Sequence, residues 1–477
     1  MFLNIGKLLL IVSLLTACGG GSSSSSDVDN DENTNNNIDS NQDKTAPIIT
    51  VLGENPISVT QYTTYTDAGA IAKDDIDGVV KVRNSGSVDT SVIKDYTITY
   101  TAIDKAGNKA TASRTITVNP VETVWNVSDV TEFRQALENA SVNGENDKII
   151  LSAGTYNTDT DGLGTFKFDD QEKYTLTIEA DSGLTYDDVI ISGNNSHQVF
   201  NFNNIAESTI SLKNISIVEG NVSAEPVNRN GGGVYVNYNL KIEQCKISDN
   251  EATQGGGVYL DTKSYKRPIS VTIVNSILSN NKAINQGGAF FNYSKDSLIV
   301  NSIFLNNSSR AGGDAIYISD HKNYSYISNN IFSNNINEYS NSLYQGSVYS
   351  SGTSLFVNNI FDNNDADIYI RKDTKIYNNY IDYTKIKENQ NTVIKKDNLQ
   401  PPSIGEVYLE NDNQTLASSS PVIDKGLNPS SATYKQIIDN ETIYNQMVEL
   451  LKTDMVGNKR VYNNTIDMGI IEYGSSK

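Results

Sequence analysis

Cysteine and histidine are nearly missing from this 477-residue chain, and basic residues are in the minority. With Cys18 and Cys245 alone there is no disulfide framework of the kind small secreted domains use, so stability has to come from packing. His197 and His321 leave almost no material for a multi-histidine metal site or a Ser/His/Asp triad. Lys and Arg number 37 against 57 acidic residues, a net charge of -20. That balance argues against nucleic acid or an anionic lipid surface as partner, because both demand clustered Lys and Arg. Cations and neutral glycans stay open. At 37% hydrophobic content the chain can build a core, and its length suits two or three domains.

The apolar run Leu8–Leu15, after Lys7, is too short to span a bilayer and reads as the core of a signal peptide. It ends in Leu15-Thr16-Ala17-Cys18, which resembles a bacterial lipobox. The resemblance implies cleavage after residue 17, lipidation of Cys18, and an outer-membrane lipoprotein facing the surface or the periplasm, since Gly19 and Gly20 lack an inner-membrane retention aspartate. Residues 18–44 are a Gly/Ser and Asp/Asn-rich tether with a root-mean-square reach of about 25–30 Å.

Residues 45–119 alternate short β-rich runs with turn clusters, which predicts a small sandwich. The stretches "TAPIITVLGENPISV" and "YTITYTAIDKAGNKATASRTITV" resemble a bacterial Ig-like domain of the type found in some pesticidal crystal proteins. Such domains serve as spacers or adhesive modules. Asp74, Asp75 and Asp77 before Gly78 could bind calcium, but the EF-hand spacing is not met, and a solvated acidic turn is the favoured reading.

Residues 120–400 begin with one amphipathic helix. Val130, Phe133, Ala136, Leu137 and Ala140 share a face, with Asp129 and Glu132 placed as a capping box. A repeat follows, aligned on Ile247, Ile277, Ile303, Ile331 and Ile360 at intervals of 26 to 30 residues. Two places before each stand Cys245, Asn275, Asn301, Asn329 and Asn358, and three places after stand Asn250, Asn280, Asn306, Asn334 and Asn363. Amides recurring at fixed phase suit the corners of a solenoid, where Asn tolerates left-handed backbone and can hydrogen-bond along the stack. Cys245 then reads as a small stacked filler, not a nucleophile. The pattern resembles right-handed parallel β-helix proteins of pectin-lyase-like architecture, and "NSIFLNN" with "GGDAIYI" is similar to polymorphic-outer-membrane-protein repeats. The expected fold class is all-β, a solenoid preceded by an Ig-like sandwich.

Small-residue triplets also recur, from Gly231-Gly232-Gly233 and Gly255-Gly256-Gly257 to Asp365-Ala366-Asp367. They fit corners with close backbones and positive φ, and no phosphate is needed to explain them. Beyond each triplet comes Tyr235, Tyr259, Phe291, Tyr317, Tyr349 or Tyr369. Strand alternation sets this column opposite the apolar Val and Ile positions, facing outward. Six such rings make either a platform for sugar rings or an apolar partner, or a purely structural ladder. Arg310, Asp314, Asp320 and His321 form the densest polar cluster, and Asp314 could share a calcium site with Asp365 and Asp367. No Lys or Arg base is identifiable beside these acids by motif.

Residues 401–477 contain a helical insertion near Tyr434–Leu451 and the stretches "SSPVIDKG" and "TDMVGNKRVYNNTIDMGIIEYG", similar to the closing motif of choice-of-anchor Q proteins. Asp424, Asp454, Asp467 and Glu472 match that motif and read as turn and cap residues. The expected function is a non-catalytic, adhesin-like surface protein that binds a glycan or another cell-surface protein. A polysaccharide lyase or glycoside hydrolase is the alternative, and a structural surface component the third.

Overall fold

A computed structural model describes residues 43–169, 174–203, 208–222, 229–261, 269–319, 324–339, 346–388, 393–399, 420, 422–438, 440–455, 457, 459–460 and 466–469. Cys18, Asp320, His321 and Glu472 lie outside the described residues. The chain divides into two compact units, the second starting in its main part at Val118.

The first unit sets an antiparallel sheet (Ile48–Val51, Ala70–Asp74, Gly78–Val80) against a four-stranded sheet ordered Ile57–Thr60, Lys109–Asn119, Asp95–Ile103, Val82–Ser85. Alternation along Asp95–Ile103 buries Tyr96, Ile98, Tyr100 and Ala102. Deep in this unit Arg114 pairs with Asp67 at 3.0 Å, and the Tyr100 hydroxyl donates to the same carboxylate at 2.6 Å. The acidic turn is only partly as expected. Asp75 is exposed, but Asp74 is buried, its Oδ1 accepting from Ile76 N and Asp77 N.

The second unit is a parallel β-helix. Among the described residues its coils stack into a long sheet of eleven strands, from Glu122–Val127 to Val393–Lys396. A second sheet of nine runs from Phe166–Phe168 to Ile386–Glu388, and a third of eight from Gly154–Asn157 to Ile360–Asp362. A short fourth sheet of four strands joins the coils between Glu251 and Asn337. The inner faces of the three larger sheets close on one continuous apolar core that includes Ile191, Leu240, Phe290, Phe332 and Phe356.

Corner chemistry dictates the coil. Asn275, Asn280, Asn301, Asn306, Asn329, Asn334, Asn358 and Asn363 all adopt left-handed backbone, as expected for Asn at tight corners. The residue after each turns inward. Asn250, Asn281, Asn307, Asn335 and Asn364 are buried, each donating from Nδ2 to the Oδ1 of the next at 2.9–3.1 Å. A second ladder runs through Cys245, Ser276, Ser302, Asn330, Asn359 and Asn379, each backbone N–H donating to the next side chain. The predicted columns therefore need one correction. Lys246, not Ile247, pairs with Ile277, so the first repeat is offset by one residue and Asn250 belongs with Asn281. Cys245 is a stacked filler in the second ladder, and burial pushes its thiol up to about 12.

At the third corner Gly255 has a φ of +60°, and a Cβ on Gly256 would come within 2.4 Å of Lys282 O and 2.5 Å of Gly288 O. The triplets are where adjoining backbones touch.

Helix α1 (Val130–Ala140) packs against one end of the stack and buries the five residues that share its apolar face. Phe133 meets Tyr156, Phe166 and Phe200. Asp129 Oδ1 accepts from Glu132 N, while the Glu132 carboxylate reaches back to Ser128 N. The insertion forms two helices, α2 (Ala432–Ile437) and α3 (Glu441–Leu450), broken where Asn440 caps α3. They lie on the outer face of the long sheet, where Tyr434, Ile437 and Met447 bury Leu298, Tyr326 and Leu355. Val422 and Met468 cover the outward column Ile277, Ile303, Ile331 and Ile360. Asp467 Oδ1 accepts from Asp424 N at 2.6 Å, a turn role for both motif acids.

Candidate functional site

The six aromatic residues do line up on the face opposite the core, at successive positions of the nine-stranded sheet. Neighbouring rings stack at centroid separations of 5.7, 5.1, 4.9, 4.2 and 5.4 Å, tilted by no more than 24°. The open platform is not what they form. Tyr235, Tyr259, Phe291 and Tyr349 are 7%, 6%, 1% and 1% exposed, and only Tyr317 and Tyr369 are half-buried. Each interior ring has a ring against both faces, and Tyr293 packs edge-on against Tyr259 and Phe291. A sugar ring needs a free face, so the column has the geometry of the structural ladder.

The corner acids do not assemble around one ion. Asp314 takes the middle place of its triplet and hydrogen-bonds through its backbone to Gly346, whereas Asp365 and Asp367 flank Ala366 one coil further on. Asp314 is buried, with Oδ1 accepting from Ser309 Oγ at 2.7 Å and Asn337 Nδ2 at 3.0 Å. Asp365 is exposed and caps Asn337 N, and Asp367 accepts from Asn364 Nδ2. Among the described residues these three do not come within common reach of a metal ion, because an intervening coil separates Asp314 from the other two. Burial pushes both Asp314 and Asp367 up to about 7. Arg310 turns away to pair with Glu338 at 3.1 Å.

A cleft of about 280 Å³ opens where α2 and α3 rest on the long sheet. The outward column Asp296, Tyr324, Thr353 forms one wall and Tyr326, Leu355, Lys375 the floor. Ile437, Asn440 and Ile443 close it from the helices. Tyr324 is 53% exposed at the rim, and Lys375 Nζ donates to Ile437 O at 3.3 Å. Sequence reasoning missed this site. The signal was present in Leu298, Tyr326 and Leu355, apolar at outward strand positions, together with a helical insertion able to cover them.

Fold and site together define a class: an all-β chain with an Ig-like sandwich and a parallel β-helix that offers a partly covered cleft. The family model described as "Bacterial surface protein, Ig-like domain" matches residues 49–118. The chain thus carries an Ig-like domain of a kind found on bacterial surface proteins. A search of curated proteins gives no match. Among solved structures, the crystal structure of pectate lyase Pel9A is similar at 16% identity and a TM-score of 0.34, over 66% of this chain and 93% of that chain.

Proposed function

We propose that the chain is a bacterial cell-surface lipoprotein, anchored through Cys18, whose β-helix binds a glycan in the cleft beneath α2 and α3 without cleaving it. The cleft carries this reading. Its volume lies near the lower end of small-ligand sites, about 300–1,000 Å³. Its lining combines aromatic rings with hydroxyl, amide and single charged groups, the mixture that holds the apolar faces and the hydroxyls of a sugar. Hydrolysis of a glycoside uses a pair of carboxyls, and among the described residues Asp296 is the one carboxylate of the lining. The net charge of -20 supports a neutral glycan over nucleic acid.

Glycan-array binding followed by calorimetry on the full chain tests the reading. Tyr324→Ala and Thr353→Trp are expected to weaken binding at least about tenfold, while Phe291→Ala leaves affinity unchanged in the fraction that folds. New unsaturated or reducing ends on uronate-containing or neutral polymers would replace binding with catalysis. Neither turnover nor affinity would leave a structural surface component. Palmitate labelling of wild type against Cys18→Ala tests the anchor.

A further inference from the structure

The Ig-like unit gathers three carboxylates from distant parts of its chain. Asp43 stands where the described chain enters the unit, Asp74 closes the strand Ala70–Asp74, and Asp104 follows the strand Asp95–Ile103. One oxygen from each lies within 4.8 Å of the other two. Three oxygens can share an ion only if none is farther from another than twice the metal–oxygen distance, about 4.6–5.2 Å for calcium.

The hydrogen bonds around the cluster leave it aimed inward. Asp74 is 3% exposed, and its Oδ1 is engaged by Ile76 N at 2.9 Å and Asp77 N at 2.8 Å. Its Oδ2 is buried with no hydrogen-bond partner among the described residues. Asp43 repeats the arrangement, with Oδ1 accepting from Thr45 N at 2.9 Å and a buried, unpartnered Oδ2. Asn108 holds the frame: it donates from N and Nδ2 to the two Asp104 oxygens at 2.7 and 2.9 Å, and from Nδ2 to Asp43 O at 3.1 Å. Among the described residues no Lys or Arg makes an ion pair with any of the three. Lys105, the nearest in sequence to Asp104, pairs with Asp77 instead.

Two buried carboxylate oxygens without donors, beside a third carboxylate and without a cation, are costly to bring together. A divalent cation with hard oxygen preference removes that cost. We infer that Asp43, Asp74 and Asp104 bind calcium, with water and main-chain carbonyls completing a shell of about six to eight oxygens. Bound there, the ion ties the start of the unit to both of its sheets. Binding only the folded form, it stabilises the unit by mass action.

The test is calcium titration of the chelator-treated full chain by calorimetry, paired with thermal unfolding in calcium and in chelator. Wild type is expected to take up one calcium per chain at this site and to melt at higher temperature with calcium present. Asp74→Asn and Asp104→Asn should each weaken binding at least about tenfold and abolish the melting shift. In chelator both variants should keep the wild-type far-UV spectrum, because a carboxamide relieves the repulsion. Asp43→Asn, at the least buried position, serves if either buried variant fails to fold: a lost calcium response supports the site. No uptake by wild type, or a response unchanged in the folded variants, would overturn it.

Discussion

Asp314 occupies a corner position that glycine fills in four other coils, at Gly232, Gly256, Gly288 and Gly346, and it carries its carboxyl into a buried pocket. Burial pushes it up to about 7 from an ordinary 3.8. The folded chain therefore holds the proton more tightly than the unfolded chain. Stability falls as pH rises from about 4 through about 7, and below the unfolded value the effect vanishes. Asp314→Asn should raise the free energy of unfolding at pH 8 by about 1–3 kcal/mol and leave it unchanged at pH 3. Denaturant titrations at the two pH values measure the difference. Asp67 titrates with the opposite sign. Burial works to raise it, but hydrogen bonds from Tyr100 and Gly69 and the Arg114 charge outweigh burial and hold it below its ordinary value. Asp67→Asn should destabilise the Ig-like unit at pH 7, an effect that fades as pH falls through the folded value, checked by melting curves across acid pH. Neither sign was legible in the sequence. "GGDAIYI" marks Asp314 as an intruder in a glycine pattern, but its burial depends on Ser309 and Asn337 from two coils closing over it.

At the level of the element, the solenoid was readable because each coil repeats the same corner constraint. Paired asparagines such as Asn280-Asn281, Asn306-Asn307 and Asn334-Asn335 announce one left-handed residue and one inward amide. A first coil spelled Asp249-Asn250 hid the register by one place. Side-chain alternation also told correctly which way the aromatic column points. It could not tell what covers an outward face, since that depends on neighbours in other coils and on segments far along the chain. Four of the five isoleucines used to align the repeat, Ile277, Ile303, Ile331 and Ile360, are themselves outward and buried, under Val422 and Met468, whereas Ile247 points into the core. Two substitutions probe the ladders. Phe291→Ala, removing a ring stacked on both sides, should cost about 3–5 kcal/mol in chemical denaturation. Asn307→Ala strips Asn281 Nδ2 of one of its two acceptors and Leu278 O of a side-chain donor, and should cost about 1–3 kcal/mol.

Across the whole molecule, a solenoid is ordinarily held by contacts between adjacent coils, so its stability behaves as a sum along one dimension. Here the C-terminal segment runs back over the coils that precede it. Asn301 Nδ2 donates to Thr453 O at 3.1 Å, and Arg460 Nη2 to Asn301 Oδ1 at 2.8 Å. Leu427 N donates to Asn358 Oδ1 at 2.7 Å, and Asn358 Nδ2 returns to Leu427 O at 2.9 Å. Replacing Met468 with Asp should release this cover and raise amide hydrogen exchange in the strands Ile277–Ser279 to Ile360–Asp362, with little change near α1. Under mechanical load the same geometry matters in another way. Force applied through the returning segment would be carried first by its hydrogen bonds to Asn301 and Asn358. The coils are then guarded against peeling one at a time, and the molecule resists as a block up to the force at which the brace lets go.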